Sequence, residues 1–179
     1  TSRCSSAASD VYKRQSMEWT AYKTSDKVPV KGTFKEIRIV SSNDSDNAAG
    51  ALSDLGFEIP VRSIFTNDTI RDGKLQKFFF AVMENSMTLK GKLNVETETS
   101  GKLEISMNGL SKTLPFNYKV EQDTIHVNAT MDLNEWGAQA ALESLNEACK
   151  VLHTGSDGVS KTWNDVALNA KILTVKSGG

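Results

Sequence analysis

Cysteine, histidine and proline are all scarce in this 179-residue chain, with two, two and three residues respectively. Cys4 and Cys149 lie at opposite ends, so they make no disulfide framework, and no pair has the Cys-x-x-Cys spacing of a zinc site. With only His126 and His153 to add, no structural metal is expected. Positive charge is not in excess either: Lys+Arg 21 against Asp+Glu 22 leaves a net charge of -1, which argues against a nucleic-acid partner. The longest apolar run, Phe78 to Met83, is far short of the roughly 20 residues of a spanning helix, so the chain is not expected to cross a membrane. No Gly-x-Ser-x-Gly elbow marks a nucleophilic hydrolase.

What is present suits one folded domain: 39% hydrophobic and 24% charged residues, in a length that supports a single sizeable core. Residues 1–16 (TSRCSSAASDVYKRQS) carry no alternation, no helical stripe and no apolar segment of a secretory signal, and read as a foreign or disordered head standing where a native leader would be. Cys4 follows Thr-Ser-Arg and not small apolar residues, which disfavours lipidation. The domain is read as residues 17–176, with 177–179 as a tail.

From Leu89 onward apolar and polar residues alternate with period two. Leu89, Leu93 and Val95 share one parity; so do Leu103, Ile105 and Met107, then Leu114, Phe116, Tyr118 and Val120, then Ile125, Val127, Ala129, Met131 and Leu133. Strand side chains point alternately to opposite faces, so each stretch predicts a half-buried strand with one wet face. The links Thr99-Ser100-Gly101, Asn108-Gly109 and Glu121-Gln122-Asp123 are too short for crossover helices, so these strands pair as an antiparallel meander. Val28 to Val40, Phe57 to Phe65, Leu75 to Met83 and Val166 to Val175 are read as further strands. That makes about eight, the number at which a closed barrel holds side chains or one small ligand. Leu142, Leu145, Cys149 and Leu152 make an apolar stripe that predicts one main helix over about 134–152. A short Ala-rich helical piece is expected over about 46–55. In an all-β chain such helices are placed as plugs or lids across a barrel mouth.

Read from Trp19, the chain resembles the YceI-like family of lipocalin-like isoprenoid-binding proteins. The resemblance starts with Trp19 and Val-Lys-Gly-Thr-Phe at Val30 to Phe34. It is sharpest in Ile59 to Leu75, IPVRSIFTNDTIRDGKL, where Ser63, Ile64, Thr66, Arg71, Asp72 and Leu75 sit at the family's positions. The strands Leu89 to Val95 and Leu114 to Val120 add to it, and together these motifs cover about residues 17 to 176. One departure is Asn134-Glu135-Trp136-Gly137, where the family often has Arg-x-x-[FY]-G. The resemblance implies an extended antiparallel eight-stranded lipocalin-like barrel, exported to the periplasm of a bacterium or secreted. It further implies a long isoprenoid or quinone-like lipid as the bound ligand, with no cofactor required.

A long apolar chain is held by burial and needs a tunnel of aliphatic, Met and aromatic groups. The inward parity offers Leu93, Val95, Ile105, Met107, Phe116, Tyr118, Val127 and Met131, to which position adds Trp19, Phe34 and Trp136. Alternation by itself favours these residues packing solidly on one another; the family resemblance favours a lumen. Arg71 and Asp72 are the candidates for the rim or a headgroup, although a structural pair in a turn-rich loop is the plainer reading. His126 falls on the polar parity, and His153 is read as a charge complement at a helix end rather than a base. The expected function is therefore lipid carriage or storage without catalysis, by a monomer or a homodimer. Its rivals are a cyclase- or isomerase-type barrel enzyme, which needs a titrating group in the lumen, and a secreted stress or interaction protein, which needs a large exposed apolar patch.

Overall fold

The computed structural model describes residues 14–43, 45 and 47–173. Most of the proposed head, Cys4 included, and the tail lie outside the described residues. Among the described residues there are ten antiparallel strands: β1 (Arg14–Lys23), β2 (Val28–Phe34), β3 (Arg38–Ser41), β4 (Leu55–Pro60), β5 (Ile64–Phe65), β6 (Thr88–Val95), β7 (Ser100–Met107), β8 (Leu110–Glu121), β9 (Thr124–Asp132) and β10 (Asp165–Leu173). They form one sheet in the order β3-β4-β6-β7-β8-β9-β10-β1-β2-β5. β1 begins at Arg14, so Gln15 and Ser16, read from sequence as part of the head, pair with Ile172 and Lys171 of β10.

The two edges of this sheet are joined by the chain itself. β2 and β3 are one strand interrupted at residues 35–37, and β4 and β5 are one strand interrupted by a tight turn at Val61–Ser63. Before the interruptions Thr33 and Phe34 pair with Phe65 and Ile64; beyond them Arg38 and Ile39 pair with Glu58 and Phe57. The register slips by two residues at the break, where Lys35 N–H still reaches Ser63 O at 2.9 Å. Counted as chain passes, the curled sheet is a ring of eight, two of them broken.

That number agrees with the sequence reading through two opposite errors. β1 was not read as a strand, and Leu75 to Met83, which was, is helical. Asp68 accepts hydrogen bonds from the backbone N–H groups of Ile70 (3.1 Å) and Arg71 (3.0 Å) and starts helix α2 (Thr69–Lys74). A wide turn at Leu75–Phe79 and a tight one at Phe80–Val82 continue it. The expected helix over 134–152 is also shorter and divided. Asp132 caps a tight turn, Leu133–Trp136, which Gly137 ends with φ 64°, and α3 then runs only over Gln139–Ala148. The expected piece over 46–55 contracts to α1 (Ala48–Leu52), capped by Asn47 on Gly50 N–H.

Strand directions put both longer helical segments, residues 66–87 and 133–164, at the barrel end that also holds the β1–β2 and β7–β8 turns. There α3 packs on the wide turn at Leu75–Phe79. The segment 41–55 with α1 lies at the other end. The Asn108-Gly109 turn forms as the sequence predicts, with both φ values positive (55° and 70°). Asn108 also fastens the helical end: Oδ1 accepts from Glu84 N–H (2.9 Å), Nδ2 donates to Trp136 O (2.8 Å), and its own N–H donates to Ser86 Oγ (2.7 Å).

Candidate functional site

The ring encloses a cavity of about 210 Å³. A single water needs about 10–15 Å³ of such space, so this is a lumen and not a packing flaw. Along β1 it is lined in alternation by Gln15, Met17, Trp19 and Ala21, a run of about 20 Å. Val166, Leu168, Ala170 and Ile172 of β10 lie alongside, and Val127, Ala129 and Met131 of β9 follow. Leu75, Phe79 and Phe80 from the α2 segment and Leu142 and Leu145 from α3 close the helical end. Phe79 and Phe80 meet edge to face at 4.9 Å, and Phe80 meets Phe34 at 6.4 Å. The lining is almost entirely carbon, so water inside finds few polar partners while an apolar guest is well matched.

Seven of the residues chosen from sequence line this lumen: Trp19, Phe34, Leu93, Ile105, Met107, Val127 and Met131. Four do not. Trp136 is wholly buried and gives its indole N–H to Ile105 O at 2.9 Å, which holds it in the packed helical end. Phe116 stands over Gly101 and packs against Tyr118, ring centroids 6.1 Å apart. The Tyr118 hydroxyl donates to Thr97 O at 3.0 Å, and burial, helped by Glu98, pushes its pKa up. Val95, half-buried, pairs with Gly101 in the same solid region. Trp163, which is not among the residues chosen from sequence, is on the lumen wall and donates its N–H to Thr24 O at 2.7 Å. The lining residues missed from sequence, Gln15, Met17 and Ala21 of β1 and the α3 stripe, carry the ordinary periodic signals: those of β1 alternate with Trp19 in the series, but the supposed head hid the first of them.

Arg71 and Asp72 sit on α2, not in a turn-rich loop, and they do not pair with each other. Arg71 lies 3.8 Å from Asp68. Asp72 Oδ1 accepts from both Thr66 N–H (2.9 Å) and Thr66 Oγ1 (2.6 Å), a staple between the strand end and the helix. Asp72→Ala is expected to lower stability by about 2 kcal/mol, some 4–8 °C in Tm, with Asp72→Asn recovering most of it, as thermal unfolding will read.

Beside α3, the Thr162 hydroxyl donates to Asn146 Oδ1 (2.8 Å) and leaves a lone pair for His153 Nδ1 (2.7 Å). Burial, together with the charges of Lys23, Arg71 and Lys74, lowers the His153 pKa from 6.5 to about 4. The ring is neutral at pH 7 and is not the charge complement expected from its place at a helix end. Between pH 6.5 and 4 the unfolded chain takes up a proton that the folded one refuses. The stability tied to the neutral ring is whole above pH 6.5 and is lost as pH falls toward 4. Denaturant midpoints measured across that window should fall more steeply in the wild type than in His153→Gln. Cys149 is buried, and burial raises its thiol pKa. Among the described residues no group of three acidic, His or Cys side chains is placed to hold a metal, and no helix is long and apolar enough to cross a membrane.

Two unpaired polar atoms interrupt the carbon lining, Gln15 Oε1 and Trp19 Nε1. Trp19 Nε1 is buried and has no acceptor among the described residues, a state that costs about 1–3 kcal/mol if it stays unmet. The indole lies flat over Gly32, its strand partner. A methyl added there would stand 2.6 Å from Trp19 Cε2 and 2.9 Å from Thr66 Cγ2, so the missing side chain is what seats the ring.

The sequence matches the model of the YceI-like domain over residues 8–172. No curated protein matches it. Among solved structures, a polyisoprenoid-binding domain from Saccharophagus degradans implicated in plant cell wall breakdown superposes with a TM-score of 0.61. It is 12% identical, with 89% of this chain and 94% of that one covered. BcnA of Burkholderia cenocepacia gives 0.56 at 13% identity, covering 90% and 96%. At these identities the likeness is one of fold.

Proposed function

This chain belongs to the YceI-like domain family, and from that premise and the lumen described above we propose that it binds a long isoprenoid or similar apolar lipid and acts as its carrier or reservoir, without catalysis. The observation that carries the reading is the lumen itself, walled along about 20 Å of β1, lined by aliphatic, Met and aromatic groups, and lidded by two helical segments. Each methylene moved from water into such a wall contributes about 0.8 kcal/mol, so a chain of ten or so carbons is held without any polar anchor. The adaptable side chains of Met17, Met107 and Met131 suit a flexible guest. The resemblance to a domain named for polyisoprenoid binding favours an isoprenoid over a straight acyl chain. An exported location, periplasmic or secreted in a bacterium, belongs to the same proposal and rests on the family resemblance.

The enzymatic alternative calls for an acid or base in the lumen, and none of the groups whose pKa values are displaced, Asp68, Tyr118, Glu121, Cys149, His153 and Asp157, lines it. Native mass spectrometry of the chain purified from a lipid-containing host tests the proposal. A bound apolar mass of roughly several hundred daltons, released on denaturation and extractable into solvent, is expected. A bare chain that also fails to take up added polyprenyl lipid overturns it.

A further inference from the structure

Trp19 is over nine-tenths buried, stands in the lumen wall, and offers an N–H that no described residue accepts. We propose that the lumen's occupant carries a neutral oxygen acceptor, an alcohol, ether or carbonyl, which takes the Trp19 N–H inside the barrel and not at its rim. The inference rests on the lipid-binding reading and narrows the ligand to an oxygenated apolar chain.

Three observations support it. The indole occupies the space that a side chain at Gly32 would take, next to which Thr66 also reaches, and Thr66 is itself held by Asp72. Water is a poor substitute, since a buried water needs two to four polar partners and the lining around Trp19 is carbon. A charged head is a poor substitute too, because an ionised phosphate or carboxylate in this lumen would have one neutral donor against the loss of its hydration. A neutral oxygen needs only that donor. Gln15 Oε1, also unmatched, stands on the same face of β1, its Cα about 13 Å from that of Trp19.

The test uses the full chain stripped of lipid and three probes with one carbon skeleton: farnesol, its methyl ether and the hydrocarbon farnesene. Affinities are measured by displacement of an apolar fluorescent dye, in the wild type and in Trp19→Phe. The alcohol and the ether are expected to lose roughly tenfold in the variant, while farnesene changes less than about threefold. The ether separates the two directions of hydrogen bonding, because it accepts but does not donate. If the three probes change in parallel, or the oxygenated pair keeps its affinity, the oxygen is not held by Trp19. Should the variant misfold, the assigned Trp19 Nε1–H resonance of the wild type decides: it moves with alcohol and ether and not with farnesene, and a resonance that stays in place overturns the inference. Binding of all three probes without regard to oxygen removes this contact alone. Failure of all three to bind removes the lipid-binding function with it.

Discussion

Trp136→Ala is expected to lower the melting temperature by about 10–20 °C. The side chain is wholly buried, and truncating a buried tryptophan costs about 3–5 kcal/mol in lost contacts and residual cavity. Its N–H also donates to Ile105 O, and losing that hydrogen bond adds about 1 kcal/mol more. At this chain length each kcal/mol is worth about 2–4 °C. Trp136→Phe keeps the ring volume in part and should fall by less than half as much. Because Trp136 is packed outside the lumen, the phenylalanine variant is expected to bind apolar probes within about threefold of the wild type. A large loss of affinity in a well-folded Trp136→Phe would return this residue to the binding wall, where position in the sequence first put it.

The contrast between Trp136 and Trp19 shows what periodicity can and cannot deliver. Alternation over Leu89 to Leu133 fixed the parity of four strands, and Leu93, Ile105, Met107, Val127 and Met131 do face the lumen. Parity says which side of the sheet a residue takes, not whether the space there is empty. Phe116 and Tyr118 have the inward parity and fill it, because Gly101 lets the Phe116 ring lie down on the neighbouring strand. That close approach pairs residues on different strands, and only the register of β7 against β8 reveals it.

Other features were hidden for different reasons. Leu75 to Met83 is apolar without period, and its helical start depends on the Asp68 cap, which the run of aromatics overshadowed. The interruptions at 35–37 and 61–63 close the ring by chain continuity, yet neither leaves a mark in composition. Asp72 shows the same limit at a motif: its position matches the family pattern, while its bonds to Thr66 show it stapling a strand to a helix that sits beside the Trp19 seat. A motif residue of this kind reaches the site through its neighbours' geometry.

The lumen itself can be removed while the barrel is kept. Ala170 on β10 lies between Met17 of β1 and Val127 of β9, all three on the wall, and it is the smallest of them. Ala170→Trp places an indole in the channel. Overpacking a solid core costs about 1–3 kcal/mol, but here the added ring enters empty space, so the melting temperature is expected to hold or rise. The guest has no such freedom. Displacing the three or four carbons that would occupy that stretch forfeits about 3 kcal/mol at roughly 0.8 kcal/mol each, a loss of affinity on the order of 100-fold. The same substitution at Asn169, its exposed neighbour on the outer face, should leave binding within about threefold and serves as the control. Dye displacement and native mass spectrometry read both variants. The decisive combination is a stable Ala170→Trp barrel that still carries its lipid: the guest would then sit elsewhere, and the cavity between β1, β9 and β10 would be only a space.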